Sequence, residues 1–301
     1  MLLLYIPSAS TQHAHTMITA TAFRDGCFMR SNNNGGFYPS IGLGHATSDS
    51  GENAYAVIQS WELGSWGISM LQLVDVVVSM FDYFKLLHHF DISKAIMQRF
   101  VVGVKSQCQD VPFHNFYHAF TTPHVSSITV SSQTQSLAAV PPPPSVGAQF
   151  EALDLMTIFV DACCHDVNHD GRANELHIRR RSATVMLYTN QSVIENMHAA
   201  ACFETTRRLG RDIFDRATPS KSRHLHKRII RVILATDMHA HAAIVSQLHD
   251  KLKRDVCLAE DETHRVLLVN AIVHAGDVSG PVLSEKLCFR WSSHLMQEFN
   301  A

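Results

Sequence analysis

Apolar residues recur along most of the chain with the spacing of helices. In the segment DISKAIMQRFVVGVKSQC they recur about every helical turn, singly or in adjacent pairs, from Ile92 to Val104, behind Asp91 as the predicted N-cap. Similar spacing recurs in five later segments: 149–166, 192–209, 222–237, 261–276 and 282–299. Convincing alternating strands are missing, so the pattern predicts an all-α domain built from many medium-length helices.

Two segments depart from this helical pattern. Residues 1–52 are rich in Asn, Gly and Ser and have no period, so we predict a poorly ordered N-terminal segment followed by one domain over 53–301. Residues 126–149 are rich in Ser and Thr and include four consecutive prolines at 141–144. Because proline fixes φ and lacks a backbone donor, we expect a surface loop inserted between two helices. The prolines are also a candidate docking site for a partner that binds proline-rich motifs.

Composition and charge narrow the classes of partner. Of the 301 residues 46% are hydrophobic, enough for a sizeable core, and a formal net charge of −2 gives no basic field for nucleic acid. The run GISMLQLVDVVVSMF contains Asp75 and is shorter than the roughly 20 apolar residues of a membrane span, so we predict a buried helix and no span. The cysteines form no CxxC motif and the start MLLLYIPSAS does not resemble a secretory signal, so we expect a cytoplasmic chain with reduced thiols.

Histidine and aspartate cluster in three short motifs. These are His114 and His118 in FHNFYHAF, His165, Asp166 and His169 in HDVNHDG, and Asp277 in IVHAGDVSGP. Each histidine pair has a spacing of four residues, which would place both rings on one face of a helix. Imidazoles combined with carboxylates suit Zn²⁺, Mn²⁺ or Fe²⁺, and a bridging carboxylate also reaches Mg²⁺. One such pair is common by chance, but two pairs, an adjacent His-Asp and a later Asp, each beside an apolar helix, favour a metal site.

The order of these motifs resembles the catalytic domain of class I 3′,5′-cyclic nucleotide phosphodiesterases, a branch of the HD metal-dependent phosphohydrolase superfamily. The resemblance covers about residues 53–301, through PFHNFYHAF, HDVNHDGRAN, LYTNQSVIENMHAAACF, VILATDMHAH, and VHAGDVSGP followed by WSSHLMQEF. It implies a compact all-α domain that hydrolyses cAMP, cGMP or both to the nucleoside 5′-monophosphate. Another HD hydrolase, acting on dNTPs or alarmones, is a rival that the HNxxHA, ATDM and SVIEN stretches disfavour.

The resemblance also implies roles for individual residues. Four would hold the tighter metal, expected to be Zn²⁺: His118, His165, Asp166 and Asp277. Asp166 would bridge to a second metal, expected to be Mg²⁺ with Mn²⁺ as an alternative, and the two metals would share the attacking hydroxide. Three residues would order the water around the second metal: His169, Glu195 and Thr236. His114 would be the general acid for the leaving O3′, whereas Asn115 and Asn174 would hold local backbone.

The chain departs from the family pattern in a few places. Asn168 stands where the family usually has Asp, Phe113 stands where Tyr is frequent, and the segment 126–149 is longer than usual. The sequence ends at LMQEFNA, before the helices that carry a purine-binding Gln and a stacking Phe in the family. The resemblance therefore implies a domain that lacks its last helices and whose purine-binding residues are unknown. The alternative function is a weakly active or inactive regulatory or interaction module of the same fold.

Overall fold

The computed structural model describes residues 58, 60, 61, 63–135, 150–208, 213–254 and 261–301, so the predicted segment 1–52 and the prolines 141–144 lie outside the described residues. No strand occurs in the described ranges, and the all-α prediction is confirmed. The α-helices are α1 (Met70–Tyr83), α2 (Leu86–His89), α3 (Lys94–Gln107), α4 (Phe116–Gln135), α5 (Ala152–Cys164), α6 (Asn174–Arg180), α7 (Ala183–Tyr188), α8 (Val193–Arg208), α9 (Pro219–Leu234), α10 (His241–Lys253), α11 (Glu262–Asp277) and α12 (Glu285–Phe299).

Helix α5 lies at the centre of the fold. All of its residues from Met156 to Cys164 are buried, as expected for a helix that is surrounded by other helices. It packs against α4, α9 and α11, and α4 and α11 also pack against each other. One hydrophobic cluster joins α1 and α3 to one side of α5, and a second joins α10 and α11 to the other side. The mutually packed helices α4, α5 and α11 therefore form a rigid centre.

A buried ion-pair network joins the first turns of α5 and α11 to α9. Arg228 of α9 pairs through Nη1 with Asp154 of α5 and lies 3.2 Å through Nη2 from Glu262 of α11. Arg265 Nε of α11 lies 3.3 Å from the other carboxylate oxygen of Asp154. Because α5 and α11 both begin at this network and pack side by side, their C-terminal ends lie together at the other end of the pair, roughly 20 Å away.

The segment 126–149 is not a surface loop throughout, which corrects the sequence-based prediction. Helix α4 continues to Gln135, and residues 126–131 are buried. The reason is that hydroxyl groups along α4 bond to backbone carbonyls three or four residues earlier, which satisfies them inside the protein. These bonds run from Thr121 to Tyr117, from Thr122 to His118, from Ser127 to His124 and from Thr129 to Val125.

The predicted N-cap of α3 is also wrong. The helix begins at Lys94, and the Ser93 hydroxyl caps it by accepting a hydrogen bond from the Ile96 amide at 3.3 Å. Asp91 lies before this cap with a φ of 52° and forms an ion pair with Arg216. A serine two residues later competes well with aspartate as a cap, so the error is a shift of two residues.

None of the helices in the described ranges is, by itself, long and apolar enough to cross a bilayer. Pro219–Leu234 and Met238–Lys251 reach that length and composition only when they are taken together, and they meet at an angle of 84°.

Candidate metal centre and active site

The four predicted metal ligands come together where α4, α5 and α11 meet. His118 lies in the first turn of α4, His165 and Asp166 directly follow α5, and Asp277 is the last residue of α11. His118 Nε2 lies 3.0 Å from His165 Nε2, 3.1 Å from Asp277 Oδ1 and 3.2 Å from Asp166 Oδ2. His165 Nε2 lies 3.1 Å from Asp166 Oδ2 and 3.4 Å from Asp277 Oδ1. We call these four residues the ligand cluster.

The spacing of the ligand cluster fits one divalent transition metal. With metal–ligand bonds of about 2.1 Å, neighbouring ligand atoms are about 3.0 Å apart in an octahedron and about 3.4 Å apart in a tetrahedron. The observed separations, from 3.0 to 3.4 Å, cover that range. Burial alone would raise the pKa of the Asp166 carboxyl, but the adjacent histidines hold it well below its usual value, so this carboxylate is ionised. Lone pairs gathered this closely require a cation or protons among them.

Local backbone geometry explains why His165 and Asp166 point into the cluster. His165 Nδ1 donates to the Ala162 carbonyl at 2.9 Å, which leaves Nε2 as the atom that faces the other ligands. The turn that follows has positive φ at Asn168 (68°) and at Gly171 (77°), two residue types that accept this conformation. The Asn168 side chain oxygen also accepts a hydrogen bond from Gln109 at 3.2 Å, which ties the turn to the end of α3.

His114 lies beside the ligand cluster. Helix α4 begins at Phe116, so His114 precedes it, and the prediction that His114 and His118 share a helix face is wrong. His114 Nε2 nevertheless points at the cluster, 4.0 Å from Asp166 Oδ2. Its ring stacks on that of His169, with 3.8 Å between centroids and 16° between planes. The ring is therefore held in one orientation, with Nε2 beside the metal ligands.

Asn115 holds the backbone between His114 and α4, in agreement with the sequence analysis. Its side-chain nitrogen donates to the carbonyls of Val111 at 2.8 Å and Pro112 at 3.1 Å, and its oxygen accepts from the Tyr117 amide at 2.9 Å. These three bonds close the loop that carries His114.

Glu298 of α12 is a site residue that the sequence analysis missed. Its Oε1 pairs with His114 Nδ1, and its Oε2 accepts from the backbone amides of Phe113 at 2.7 Å and His114 at 3.0 Å. Burial would raise the pKa of this carboxyl, but these hydrogen bonds and the nearby imidazole outweigh it and lower the pKa to about 2. Glu298 is therefore an ionised partner of His114. In the sequence it lies in WSSHLMQEF at the end of an amphipathic helix, where its spacing to other polar residues does not mark it as a site residue.

His169 lies beside Asp166, and its ring stacks on that of His114. Its backbone amide donates to the Asp166 carbonyl at 3.1 Å, and its Nδ1 accepts from the Gly171 amide at 2.9 Å. Because Nδ1 is an acceptor, the neutral ring carries its proton on Nε2. Burial, together with the adjacent His114, lowers the pKa of His169 to about 3.

Glu195 and Thr236 have different surroundings. Asn174 Nδ2 donates to both oxygens of Glu195, at 2.8 and 3.1 Å, and Asn174 Oδ1 accepts from the Ile194 amide, so Asn174 also holds local backbone. Burial raises the pKa of Glu195 to about 7, and the charge of Asp166 adds to the increase. The Thr236 hydroxyl, just after α9, donates to the carbonyl of Ile233 in the last turn of that helix at 2.8 Å. The water-ordering role predicted for Thr236 stays a prediction.

His198 of α8 is the second site residue that the sequence analysis missed. It is buried, its Nδ1 donates to the Val167 carbonyl at 2.8 Å, and its Nε2 lies 3.7 Å from Asp166 Oδ1. Burial lowers the pKa of His198 to about 4, so the ring is neutral near neutral pH. A single histidine in a helix of mixed polar and apolar residues gives no signal of this kind by its own spacing.

Comparison with known proteins identifies the family. The profile described as 3′5′-cyclic nucleotide phosphodiesterase matches residues 113–301, which contain the whole ligand cluster, His114 and Glu298. The chain belongs to the 3′,5′-cyclic nucleotide phosphodiesterase family. This confirms the family that the motifs of the sequence resemble.

Relatives of this phosphodiesterase-family chain include enzymes named for either nucleotide. A 3′,5′-cyclic-AMP phosphodiesterase of Drosophila melanogaster (isoform F) is 28% identical over 254 residues, 79% of this chain and 37% of the relative. A cGMP-specific 3′,5′-cGMP phosphodiesterase 3 of Dictyostelium discoideum is 26% identical over 243 residues, 80% of this chain and 49% of the relative. The chain thus spans less than half of each of these relatives.

The fold is also that of a solved phosphodiesterase domain. The crystal structure of the phosphodiesterase domain of the RhoPDE fusion protein from the choanoflagellate Salpingoeca rosetta matches with a TM-score of 0.74 at 25% identity. The match covers 83% of this chain and 75% of that chain.

Proposed function

We propose that this chain hydrolyses a 3′,5′-cyclic nucleotide, cAMP or cGMP, to the nucleoside 5′-monophosphate. The observation that carries the proposal is the juxtaposition at Asp166: one carboxylate oxygen closes the ligand cluster, and the His114–Glu298 pair stands beside it. Membership of the family and the names of its relatives support the same reaction.

The ligand cluster would hold one divalent transition metal, for which we propose Zn²⁺ because two imidazoles and two carboxylates suit it. Asp166 would share its carboxylate with a second divalent metal, Mg²⁺ or Mn²⁺. When bound, such ions neutralise phosphate oxygens and lower the pKa of the attacking water. His169, Glu195 and Thr236 would order water around the second ion.

His114 would supply the proton that the leaving oxygen needs. Its Nδ1 is paired with Glu298, so Nδ1 carries a proton, and Nε2 faces the ligand cluster. As the P–O3′ bond breaks, its electron pair leaves with O3′ and the proton on Nε2 moves to that oxygen. The ionised Glu298 stabilises the doubly protonated ring and fixes its orientation. Assistance of this kind typically contributes about 10²–10⁴-fold to the rate.

The test is a turnover assay on the metal-loaded chain, with cAMP, cGMP and a dNTP as substrates. We expect 5′-AMP or 5′-GMP to form, a chelator to abolish the reaction, and His114→Asn to keep its metal while losing most turnover. Hydrolysis of the dNTP alone would assign the chain to a different HD reaction. No turnover by a folded, metal-loaded chain would favour the alternative of an inactive regulatory or interaction module.

We also propose a cytoplasmic location. Five cysteines of the described ranges are free thiols, as expected in a reducing compartment: Cys108, Cys163, Cys164, Cys202 and Cys288. Cell fractionation with an antibody to the chain would test this, and recovery in a secreted fraction would contradict it.

A further inference from the structure

The corner between α6 and α7 presents a serine directly after three arginines. Ser182 follows the arginines at 179–181, which form the only run of three consecutive arginine or lysine residues in the sequence. Helix α6 ends at Arg180, and Arg181 turns the chain with a φ of 49°. Ser182 then caps α7 by accepting a hydrogen bond from the Val185 amide at 3.3 Å. The corner therefore places a hydroxyl group beside a concentrated positive charge.

Two of the three arginines carry charge that no acidic residue compensates. Arg179 lies 3.0 Å from Glu175, whereas Arg180 and Arg181 are exposed and form no ion pair within the described ranges. Both side chains of the Arg179–Glu175 pair are largely exposed to solvent, so this pair is weak and opens easily. Guanidinium groups presented in this way fit an acidic peptide-binding groove or a phosphate group.

The Ser182 hydroxyl also begins a buried tether to the turn that follows α5. It lies 3.2 Å from Nδ1 of His177, which is 6% exposed, and Nε2 of the same ring lies 3.1 Å from Oδ1 of Asp170. Burial would raise the pKa of the Asp170 carboxyl, but His177 and Arg172 lower it, so the carboxylate is ionised and Nε2 donates to it. With its proton on Nε2, the neutral ring accepts at Nδ1 from the serine hydroxyl.

A phosphate group on Ser182 would find several donors at this corner. Phosphoserine carries about −1.5 to −2 charges at pH 7 and three acceptor oxygens. His177 Nδ1 can take up a proton and donate to the phosphate while Nε2 keeps its bond to Asp170. The uncompensated guanidinium groups of Arg180 and Arg181 belong to the two preceding residues. A phosphate oxygen can also replace the hydroxyl as acceptor for the Val185 amide, so the cap of α7 is kept.

We propose that Ser182 is a phosphorylation site for a protein kinase that selects arginine before serine, and that His177 holds the phosphate. The Ser182 hydroxyl oxygen attacks the γ-phosphorus of ATP, the bond from that phosphorus to ADP breaks, and the hydroxyl proton passes to a base of the kinase. The corner must open for this step. Helices α6 and α7 have only seven and six residues, too few to be stable without packing on α8, so local opening is feasible.

The phosphate should stiffen the turn beside the ligand cluster. A doubly protonated His177 would lie between two anions and hold Asp170 more tightly than the neutral ring does. Asp170 directly follows His169, whose ring stacks on that of His114. Exchange of the backbone amides of residues 168–172 with solvent should therefore slow when Ser182 is phosphorylated. This modification is independent of the proposed reaction, and its tests need no turnover of cyclic nucleotide.

The first experiment incubates the full chain with ATP and a purified kinase of this arginine-directed class, and locates the phosphate by mass spectrometry. We expect phosphate on Ser182. A peptide of residues 177–187 shows that the kinase is active. The matched control is Ser93 in the same chain, which is exposed and caps α3 with the same distance of 3.3 Å, but follows Phe90, Asp91 and Ile92 in place of arginines. Ser93 should stay unmodified.

Two variants test how the kinase recognises the corner. Ser182→Asn should take up no phosphate there, and its fold should be kept because asparagine caps a helix about as well as serine does. Arg179→Gln/Arg180→Gln should lower the kcat/KM of the kinase for the chain at least about 10-fold, since charge-assisted hydrogen bonds to the kinase are lost.

The second experiment compares hydrogen exchange of the phosphorylated and the unmodified chain, both with metal bound. We expect the amides of residues 168–172 to exchange about threefold or more slowly after phosphorylation. His177→Gln tests the holder of the phosphate. The glutamine amide nitrogen reaches nearly the position of Nε2 and can donate to Asp170, but no atom remains at the position of Nδ1. This variant should be phosphorylated at an unchanged rate and show no slowing.

The kinase site would be overturned by modification of the peptide but not of the chain, by equal modification of Ser93 and Ser182, or by an unchanged rate in the arginine variant. The role of His177 would be overturned if exchange did not slow in the unaltered chain, or if it slowed equally in His177→Gln. Failure of the proposed function is a separate outcome. A chain that is phosphorylated as expected but hydrolyses no cyclic nucleotide would contradict that function and leave the Ser182 site in place.

Discussion

His114 and Glu298 meet side chain to side chain although 184 positions separate them in the sequence. The same carboxylate accepts hydrogen bonds from the amides of Phe113 and His114. Helix α12 therefore fixes both the position and the electrostatic environment of the ring that points at Asp166. Because Glu298 touches the loop of His114 and none of the four clustered ligands, its effects on proton transfer and on metal binding are separable.

Glu298→Gln should slow turnover without removing metal. The amide is neutral and has one acceptor oxygen in place of two, so it cannot serve His114 and both backbone amides together. We expect kcat to fall about 10²-fold or more, since the proton donor loses its counter-charge and its orientation. Steady-state kinetics with cyclic nucleotide, together with elemental analysis of the purified variant, would check this.

The double variant His114→Asn/Glu298→Gln is the control. If Glu298 acts through His114, the double variant should be about as slow as His114→Asn alone. Effects that multiply would show that the two residues act independently, and loss of metal from Glu298→Gln would show that α12 supports the ligand cluster.

The ligand cluster could be predicted from the sequence because its members sit at recognisable helix ends. His165 and Asp166 directly follow a mostly apolar, buried helix, and Asp277 ends another, so packing those helices brings the polar ends together. The helix limits were less predictable. The spacing of His114 and His118 indicated one helix, but Asn115 bonds to the carbonyls of Val111 and Pro112 and closes a loop there.

Other features depend on contacts that no short motif records. Glu298 of α12 reaches His114, and His198 of α8 reaches Asp166. Each is one of several polar residues in its helix. Residues 126–131 have the composition of a loop, but burial between α5 and α11 and hydroxyl bonds within the helix override the weak local propensity. Tertiary packing, which is not visible in local sequence, decides these positions.

The ligand cluster predicts that one metal ion is bound tightly enough to remain with the protein during purification. Purified chain should hold about one transition metal, measured by elemental analysis, and Asp166→Ala should lose that ion and the second one together, because Asp166 closes the ligand cluster and is the residue proposed to bridge the two ions. Removing the metal by a chelator should lower Tm, since it leaves clustered buried lone pairs without a cation. A folded chain without metal whose Tm is insensitive to chelators would contradict the site.

His124 predicts a loss of stability in acid. The ring is buried, and burial outweighs a hydrogen bond with the backbone of Ile58 and lowers its pKa from 6.5 to about 4. Between these values the unfolded chain binds a proton that the folded chain does not, so the free energy of unfolding falls as pH falls. This residue alone accounts for roughly 3 kcal/mol between pH 6.5 and 4.

His124→Asn should lack this contribution. The difference in unfolding free energy between the two chains, measured by urea denaturation at several pH values, should therefore change by roughly 3 kcal/mol in favour of the variant from pH 7 to pH 4. Both chains keep the same metal site, so acid release of metal cancels in the comparison. If this difference in unfolding free energy stays constant with pH, His124 takes up its proton in the folded state as readily as in the unfolded one.

Arg228 and Asp154 should be strongly coupled in their contributions to the free energy of unfolding, although they lie far from the metal ligands. Asp154 is fully buried and Arg228 is 6% exposed, so Arg228→Met removes the closest cation from a carboxylate in the core. The carboxylate then keeps Arg265 Nε, 3.3 Å away, and the Glu151 amide, which donates to it at 2.9 Å. Breaking a buried pair in this way typically costs about 3–5 kcal/mol. The control is Arg179→Met, which removes an exposed pair with Glu175 and should cost at most about 0.5 kcal/mol.

The double variant Arg228→Met/Asp154→Asn distinguishes a buried charge from lost packing. If the cost of Arg228→Met comes from the unpaired carboxylate, neutralising Asp154 should recover a large part of it, and the double variant should be more stable than the sum of the two single changes. Urea unfolding of all four chains with metal bound gives the coupling energy. Because α5 and α11 begin at this network and end at the ligand cluster, the variants should unfold more readily while binding metal with unchanged stoichiometry. Additive costs would instead mean that Arg228 stabilises the helices through its aliphatic stem, and that the charge of Asp154 is compensated by Arg265.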